Sequence, residues 1–222
     1  CVVILTLFSA AVLLMSILGV IPGMDLKVGE MLSAQQKNTV SAMTEQTDIM
    51  MARSISLSEE ITKELSQYLT ANGKAFSDLN NNPQLIMDLE AALYSSLRSA
   101  LDVKYCSGVF VILNATVNTE TEYADTSRMG IYLRLSDLKA VNTSKQHVVF
   151  FRGNADIARA EQVQLHNRWN LEFDTSALPG YEQIMRFDGN RLVESCLWTD
   201  RLELSDTWED VQLLYVPVLD ST

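Results

Sequence analysis

The sequence predicts an α+β chain made of an N-terminal transmembrane helix, a long juxtamembrane helix and a mainly antiparallel sheet domain with short helical insertions. Three observations carry this. No residue from Cys1 to Ile21 is charged, no Pro or Gly interrupts Glu30 to Asn72, and after Ser107 the apolar spacing shifts from helical towards a period of two. A chain of 222 residues with 47% hydrophobic content has room for one membrane helix and one domain of ordinary size.

The run VVILTLFSAAVLLMSILGVI matches the ~20 apolar residues that cross ~30 Å of hydrocarbon, so a span is expected over residues 1–22. A buried core helix and a cleaved signal peptide compete with it, but a signal peptide has a shorter apolar core and a small-residue cleavage site. A lipidated cysteine would be followed by a polar tether, whereas Cys1 is followed by Val-Val-Ile-Leu. The chain opens on a cysteine and closes at Asp220-Ser221-Thr222 just after an apolar run, and it reads as a fragment. A net charge of −11 argues against a nucleic-acid surface within these residues, since neutralising phosphates takes clustered Lys and Arg.

Residues 23–72 form the expected stalk. Val40, Met43, Met50, Leu57, Ile61, Leu65, Tyr68 and Leu69 recur at spacings of three, four and seven, the pattern of one buried stripe on a long helix, and Asn72-Gly73 supplies its stop. At ~1.5 Å per residue such a helix runs about 60 Å, longer than one small domain needs. Its upper half is expected on the domain and its lower half on a second subunit of a homodimer, with packing wholly on its own domain as the alternative.

The remainder, residues 73–222, begins with a second helix. Asn82 is its cap, Pro83 its first residue, Leu85, Ile86, Leu89, Leu93 and Leu97 its apolar face, and its end is expected near Tyr105. Strands are expected over Val109–Val117, Met129–Leu135, Val148–Arg152, Trp169–Phe173, Leu192–Trp198 and Val211–Leu219. Asn118–Ser127 and Ser136–Gln146 read as loops, Asp156–Gln162 and Tyr181–Met185 as short helices, and Asp188-Gly189-Asn190 and Ser205-Asp206 as turns.

The segments CSGVFVILNATVN (Cys106–Asn118), RMGIYLRLSDL (Arg128–Leu138), FFRGNADIARA (Phe150–Ala160), LHNRWNLEFDTSALPGYEQIM (Leu165–Met185) and LWTDRLELSDTWEDVQLLYVPVLDS (Leu197–Ser221) carry a resemblance. Together they resemble the extracytoplasmic, PAS/Cache-like sensor region of membrane-bound AraC-family transcriptional regulators of the Clostridia type, over most of Ile55–Ser221. The resemblance implies an unknown small-molecule or peptide ligand, a sensor domain outside the cell membrane, and a DNA contact made only by a helix-turn-helix domain absent from this chain. It also implies that the sheet continues beyond Asp220, with the domain truncated at its C-terminus. Cache-like sensors also serve histidine kinases, cyclases and chemoreceptors, and a membrane-anchored binding or adhesion module without cytoplasmic output is the alternative of another class.

A sensor pocket needs a few polar groups in an apolar cup and has no universal spacing. Tyr132 and Arg134 alternate with Ile131, Leu133 and Leu135, which gives that strand one polar face. Arg152, Arg168 and Trp169 could clamp a carboxylate and stack on a ligand, and Trp198 could do the latter. Alternatively Trp169 belongs to the core and the arginines pair with Asp156, Glu172 or Asp174. Trp208 and Tyr215 share this ambiguity, with packing favoured for Trp208. Tyr123 and Arg128 have the Tyr-x4-Arg spacing that opens an amino-acid-binding signature in some Cache receptors, but Gly130-Ile131 stands where Trp-Tyr should follow.

Catalysis is not expected. The chain has no Gly-x-Ser-x-Gly, phosphate loop, His-Glu-x-x-His or Cys-x-x-Cys, and His147 and His166 are its sole histidines. No cofactor or metal is expected, and the acidic pairs Glu120/Glu122 and Glu203/Asp206 read as solvated loop residues. Cys106 and Cys196 are expected as two unlinked thiols.

Overall fold

The computed structural model describes residues 20–101, 105–136, 148–187, 192–204 and 209–219. The chain divides into two compact units, Cys1–Asp48 and Ile49–Thr222. Helix α1 covers Val20–Asn72, 53 residues, and runs through Pro22-Gly23 instead of breaking there. In the first unit Val28, Met31, Leu32, Val40 and Met43 are all exposed. The hydroxyls of Thr39, Thr44 and Thr47 donate to the carbonyls four residues earlier, which satisfies them within the helix.

Among the described residues no helix is long and apolar enough to cross a membrane, so the expected transmembrane helix is not supported. Residues 1–19 of the apolar run lie outside the described residues. The helix that is described carries Lys27, Glu30, Lys37, Glu45 and Asp48 along its length, and charges at that density are expensive in hydrocarbon.

The second unit is built on a helix pair and a sheet. Ile61, Leu65 and Leu69, one turn apart, are buried on α1. Gly73 then takes a φ of 60° and Lys74 N–H donates to Leu69 O at 2.9 Å, the six-to-one bond that closes a helix end. Helix α2 (Pro83–Ala100) starts as expected, with the Asn82 side chain accepting from Leu85 N at 3.2 Å and Leu85, Ile86, Leu89, Leu93 and Leu97 buried. It ends at Ala100 rather than near Tyr105.

The strands are β1 (Gly108–Ile112), β2 (Ser127–Arg128), β3 (Gly130–Leu135), β4 (Val148–Arg152), β5 (Gln164–Asn170), β6 (Phe173–Asp174), β7 (Leu197–Trp198), β8 (Leu202–Leu204), β9 (Glu209–Val211) and β10 (Leu214–Tyr215). The main sheet has the order β1-β3-β4-β5, antiparallel except for β4 and β5, which are parallel. The expected mainly antiparallel sheet is therefore mixed. A parallel pair needs a crossover, and helix α3 (Ala155–Ala160), capped by Asn154, is that crossover. The pairs β2–β6, β7–β10 and β8–β9 are separate two-stranded ladders. The expected strand Leu192–Trp198 is a 3₁₀ turn over Leu192–Ser195 followed by the short β7, and of Val211–Leu219 only Val211 and Leu214–Tyr215 lie in ladders. Helix α4 is Tyr181–Met185, as expected. The expected turns at 188–190 and 205–206 lie outside the described residues, as does nearly all of the expected loop 136–146.

Period-two alternation assigns the sheet faces. Ile131, Leu133 and Phe150 are wholly buried and join the core cluster that holds the apolar face of α2. Phe110 and Tyr132 pair in register on the opposite face. Gly130 makes the close β1–β3 approach possible: its φ is 153°, and a Cβ there would stand 2.1 Å from Val111 O. Tyr132 also faces a shift in register, where Leu133 pairs with Phe150 but Tyr132 pairs with Arg152, so Phe151 is an extra residue on β4.

One carboxyl is enclosed by the core. Glu90 of α2 is fully buried and accepts from Asn154 N at 3.1 Å, so it ties α2 to the start of α3. Burial pushes its pKa up to about 8, against the pull of the Asn154 and Gly130 N–H groups, and Glu172 pushes the same way. The folded value exceeds the ordinary 4.5, so the folded state holds a proton that the unfolded chain releases. Stability from this group is complete below about 4.5 and is lost as pH rises towards about 8. Glu90→Gln should flatten that slope: the melting temperature of the native protein falls between pH 5 and pH 8, and that of the variant falls much less.

Candidate functional site

The face of the sheet away from α2 carries a row of aromatic rings. Tyr215 meets Phe110 edge-on at 5.6 Å, Phe110 meets Tyr132 at 6.5 Å, Tyr132 lies 5.1 Å from Phe151, and Phe151 stacks on His166 at 4.0 Å. The strand order places Phe110, Tyr132 and Phe151 on three consecutive strands, and the extra residue in β4 brings Phe151 to Tyr132. Gly108 leaves room for the row, because a Cβ there would come within 2.9 Å of the Tyr132 ring.

Beside this row the second unit holds a half-open cavity of about 780 Å³, within the size range of small-molecule sites. Its walls come from five parts of the chain. Helix α1 contributes Met50, Arg53, Ser54 and Leu57, and the whole of β1 forms a second side. Tyr132 and Arg152 reach it from β3 and β4, and α4 with its flanks adds Leu178, Tyr181 and Phe187. The C-terminal segment from Val211 to Leu219 forms the remaining side. Arg53 stands 4.0 Å over the Tyr105 ring, and both residues line the space.

The C-terminal segment is fastened directly to α1. The buried Ser58 hydroxyl donates to Pro217 O, and Leu219 N–H donates to Thr62 Oγ1 at 3.2 Å. Thr199 adds a two-sided clamp, its N–H donating to Leu213 O and its hydroxyl accepting from Leu213 N, each at 2.9 Å. Under this cover, burial pushes the Tyr215 phenol up to about 12, with Tyr181 adding to the shift. The Tyr215 Oη and Trp198 Nε1 atoms are buried without a hydrogen-bond partner among the described residues. Burial also pushes the Tyr181 phenol up, and the Arg128 guanidinium beside it pulls the other way.

The six residues singled out from sequence separate into two groups. Tyr132 and Arg152 line the cavity. Arg152 Nη1 donates to Phe151 O at 2.8 Å and to Arg168 O at 3.1 Å, which anchors it. Arg134, Arg168, Trp169 and Trp198 are not in its walls. Arg134 is buried and Arg168 is exposed. Trp169 packs against the core with its Nε1 donating to Gly153 O at 3.0 Å, the structural role weighed for it. Asp156 pairs with Arg159, Glu172 accepts from Thr116, Val117 and Ser127, and Asp174 caps Ser176. Tyr123 is exposed, and Arg128 is held by Asn114 Oδ1 at 2.8 Å, so the Tyr-x4-Arg pair does not build a pocket. The side chain of Trp208 lies outside the described residues.

Sequence reasoning missed Leu57, Phe110 and Tyr181. Phe110 had a signal, since it alternates with Val109 and Val111, but nothing in a linear pattern shows that its face meets α1 and residues a hundred positions away. Cys106 and Cys196 are not joined in a disulfide, as expected, and both are half-buried rather than buried. Among the described residues no group of three or more His, Cys, Asp or Glu could hold a metal ion. No family model, no curated protein and no solved structure matches the chain.

Removing the Ser58 hydroxyl tests the fastening. Ser58→Ala should lower stability by about 1 kcal/mol, a fall of roughly 2–4 °C in melting temperature, and should speed amide exchange at Val218 and Leu219.

Proposed function

We propose that residues 49–222 are a ligand-binding sensor domain whose cavity takes a small molecule and whose occupancy is passed to a signalling output. The observation that carries this reading is that α1 and the C-terminal segment line the cavity and are also bonded to each other, at Ser58–Pro217 and Thr62–Leu219. A ligand that favours one spacing of these two segments shifts the population between their arrangements. The aromatic walls supply apolar burial, and the few polar groups on them supply orientation. The resemblance of Ile55–Ser221 to the sensor region of AraC-type regulators supports transcription as the output, through a helix-turn-helix domain that this chain does not contain.

Filling the cavity tests the reading. Leu57 lines it from α1 and is half-buried, so Leu57→Trp inserts an indole into the space without emptying the core. The native protein should bind the neutral dye Nile red with a blue-shifted, enhanced emission. The variant should bind it about tenfold more weakly or worse, a change of roughly 1.4 kcal/mol, at an unchanged or higher melting temperature. Equal dye binding by the two proteins would overturn the proposal.

A further inference from the structure

Two carboxyls meet inside the second unit, where α2, α3 and the start of β3 come together. Glu90 is flanked on α2 by Ile86, Leu89 and Leu93, all wholly buried, and has no exposed surface of its own. Its Oε2 accepts from Asn154 N at 3.1 Å, and the Gly130 N–H reaches the same carboxyl from β3. Its Oε1 is buried with no hydrogen-bond partner among the described residues. An ionised carboxyl enclosed with one oxygen unpaired costs far more than the neutral acid, so this setting favours the protonated form.

Glu172 lies in the two-residue bend between β5 and β6, close enough to Glu90 for its charge to oppose a second one. Of the groups that face Glu90 from α3, β3 and this bend, it is the titratable one among the described residues. Glu172 is half-buried, and its oxygens accept from three donors. Oε1 takes the Thr116 hydroxyl at 2.8 Å and Val117 N at 2.9 Å, and Oε2 takes the Ser127 hydroxyl. Thr116 and Val117 stand before the loop 118–126 and Ser127 stands after it, so one side chain closes that loop.

The two acids are mounted differently. Glu90 cannot withdraw without drawing the apolar face of α2 out of the core, whereas Glu172 rides on a bend and can move outward. Its departure frees Thr116, Val117 and Ser127 together. Phe173 and Asp174, the next residues in the chain, line the cavity.

We propose that Glu90 and Glu172 form a pH-sensitive latch. While Glu90 holds a proton the bend stays docked and the loop 118–126 stays closed; loss of that proton drives Glu172 outward and opens the loop and the adjoining cavity wall ahead of the rest of the domain. The open form brings Glu90 nearer to water and releases its proton more readily than the closed form does. Opening therefore becomes easier as pH rises from the ordinary 4.5 towards about 8, and no easier beyond it.

Amide exchange of the full chain, corrected for the intrinsic pH dependence of the chemistry, reads this opening residue by residue. The probe is the Val117 N–H that Glu172 holds, and the reference is Leu133 in the sheet core. Val117 should exchange faster than Leu133 throughout, with a protection that low urea leaves almost unchanged. From pH 5 to pH 8 that protection should fall by about tenfold or more. Glu90→Gln should hold it constant. Glu172→Gln keeps the shape of the side chain and removes its charge, and should make the fall about threefold smaller, because Glu90 then ionises against no like charge.

A Val117 protection that does not change with pH would overturn the latch. So would exchange of Val117 at the rate and urea dependence of Leu133, which would leave Glu90 a determinant of global unfolding alone. The full fall in Glu90→Gln, or an undiminished one in Glu172→Gln, would overturn the pairing of the two acids. If Glu90→Gln does not fold, the native protein and Glu172→Gln decide.

Discussion

Alternation along β3 is the constraint on which the molecule depends. This strand is bonded on both sides, so it cannot slip by one residue without turning Ile131 and Leu133 out of the core and Tyr132 and Arg134 into it. Helix α2 needs an unbroken apolar face to bury five large side chains, and β3 supplies it on one side. Its other side is thereby committed to the aromatic row. Core and candidate site are two faces of one ladder, and Gly130 permits the close approach at its start.

The extra residue at Phe151 modifies this plan locally. Without it Arg152 would fall out of register with Tyr132, and the ring of Phe151 would have no place between Tyr132 and His166. The same irregularity continues into the pairing of β4 with β5, where Phe150 meets Leu165 but Arg152 meets Asn170. A bulge that aims side chains at a cavity is a common use of that device, and here it brings a guanidinium and the sheet's aromatic row to the same side.

What could be read from the residues follows from how local each cause is. Asn82-Pro83 announced α2 because a cap and a proline act within one turn, and Val148–Arg152 and Tyr181–Met185 were delimited by polar breaks at both ends. The parallel pairing of β5 was hidden, since a period of two says which face a side chain takes and nothing of strand direction. The expected membrane helix is unsupported on a different ground: no described helix is long and apolar enough to cross a membrane, and residues 1–19 of the expected span lie outside the described residues. Of the candidate ligand residues, Tyr132 and Arg152 reach the cavity while Trp169 is consumed by the core. An indole or a guanidinium looks the same in sequence in either role. Leu57, Phe110, Tyr181 and Tyr215 come together only through the fold.

The bond between Ser58 and Pro217 joins residues 159 positions apart. Among the described residues the C-terminal segment adds no strand to the main sheet, so its release would leave the ladder β1-β3-β4-β5 and the helix pair bonded as they are. A region held by few bonds opens locally at a lower free energy than the core, and the segment from Val211 to Leu219 is such a region on one side of the cavity.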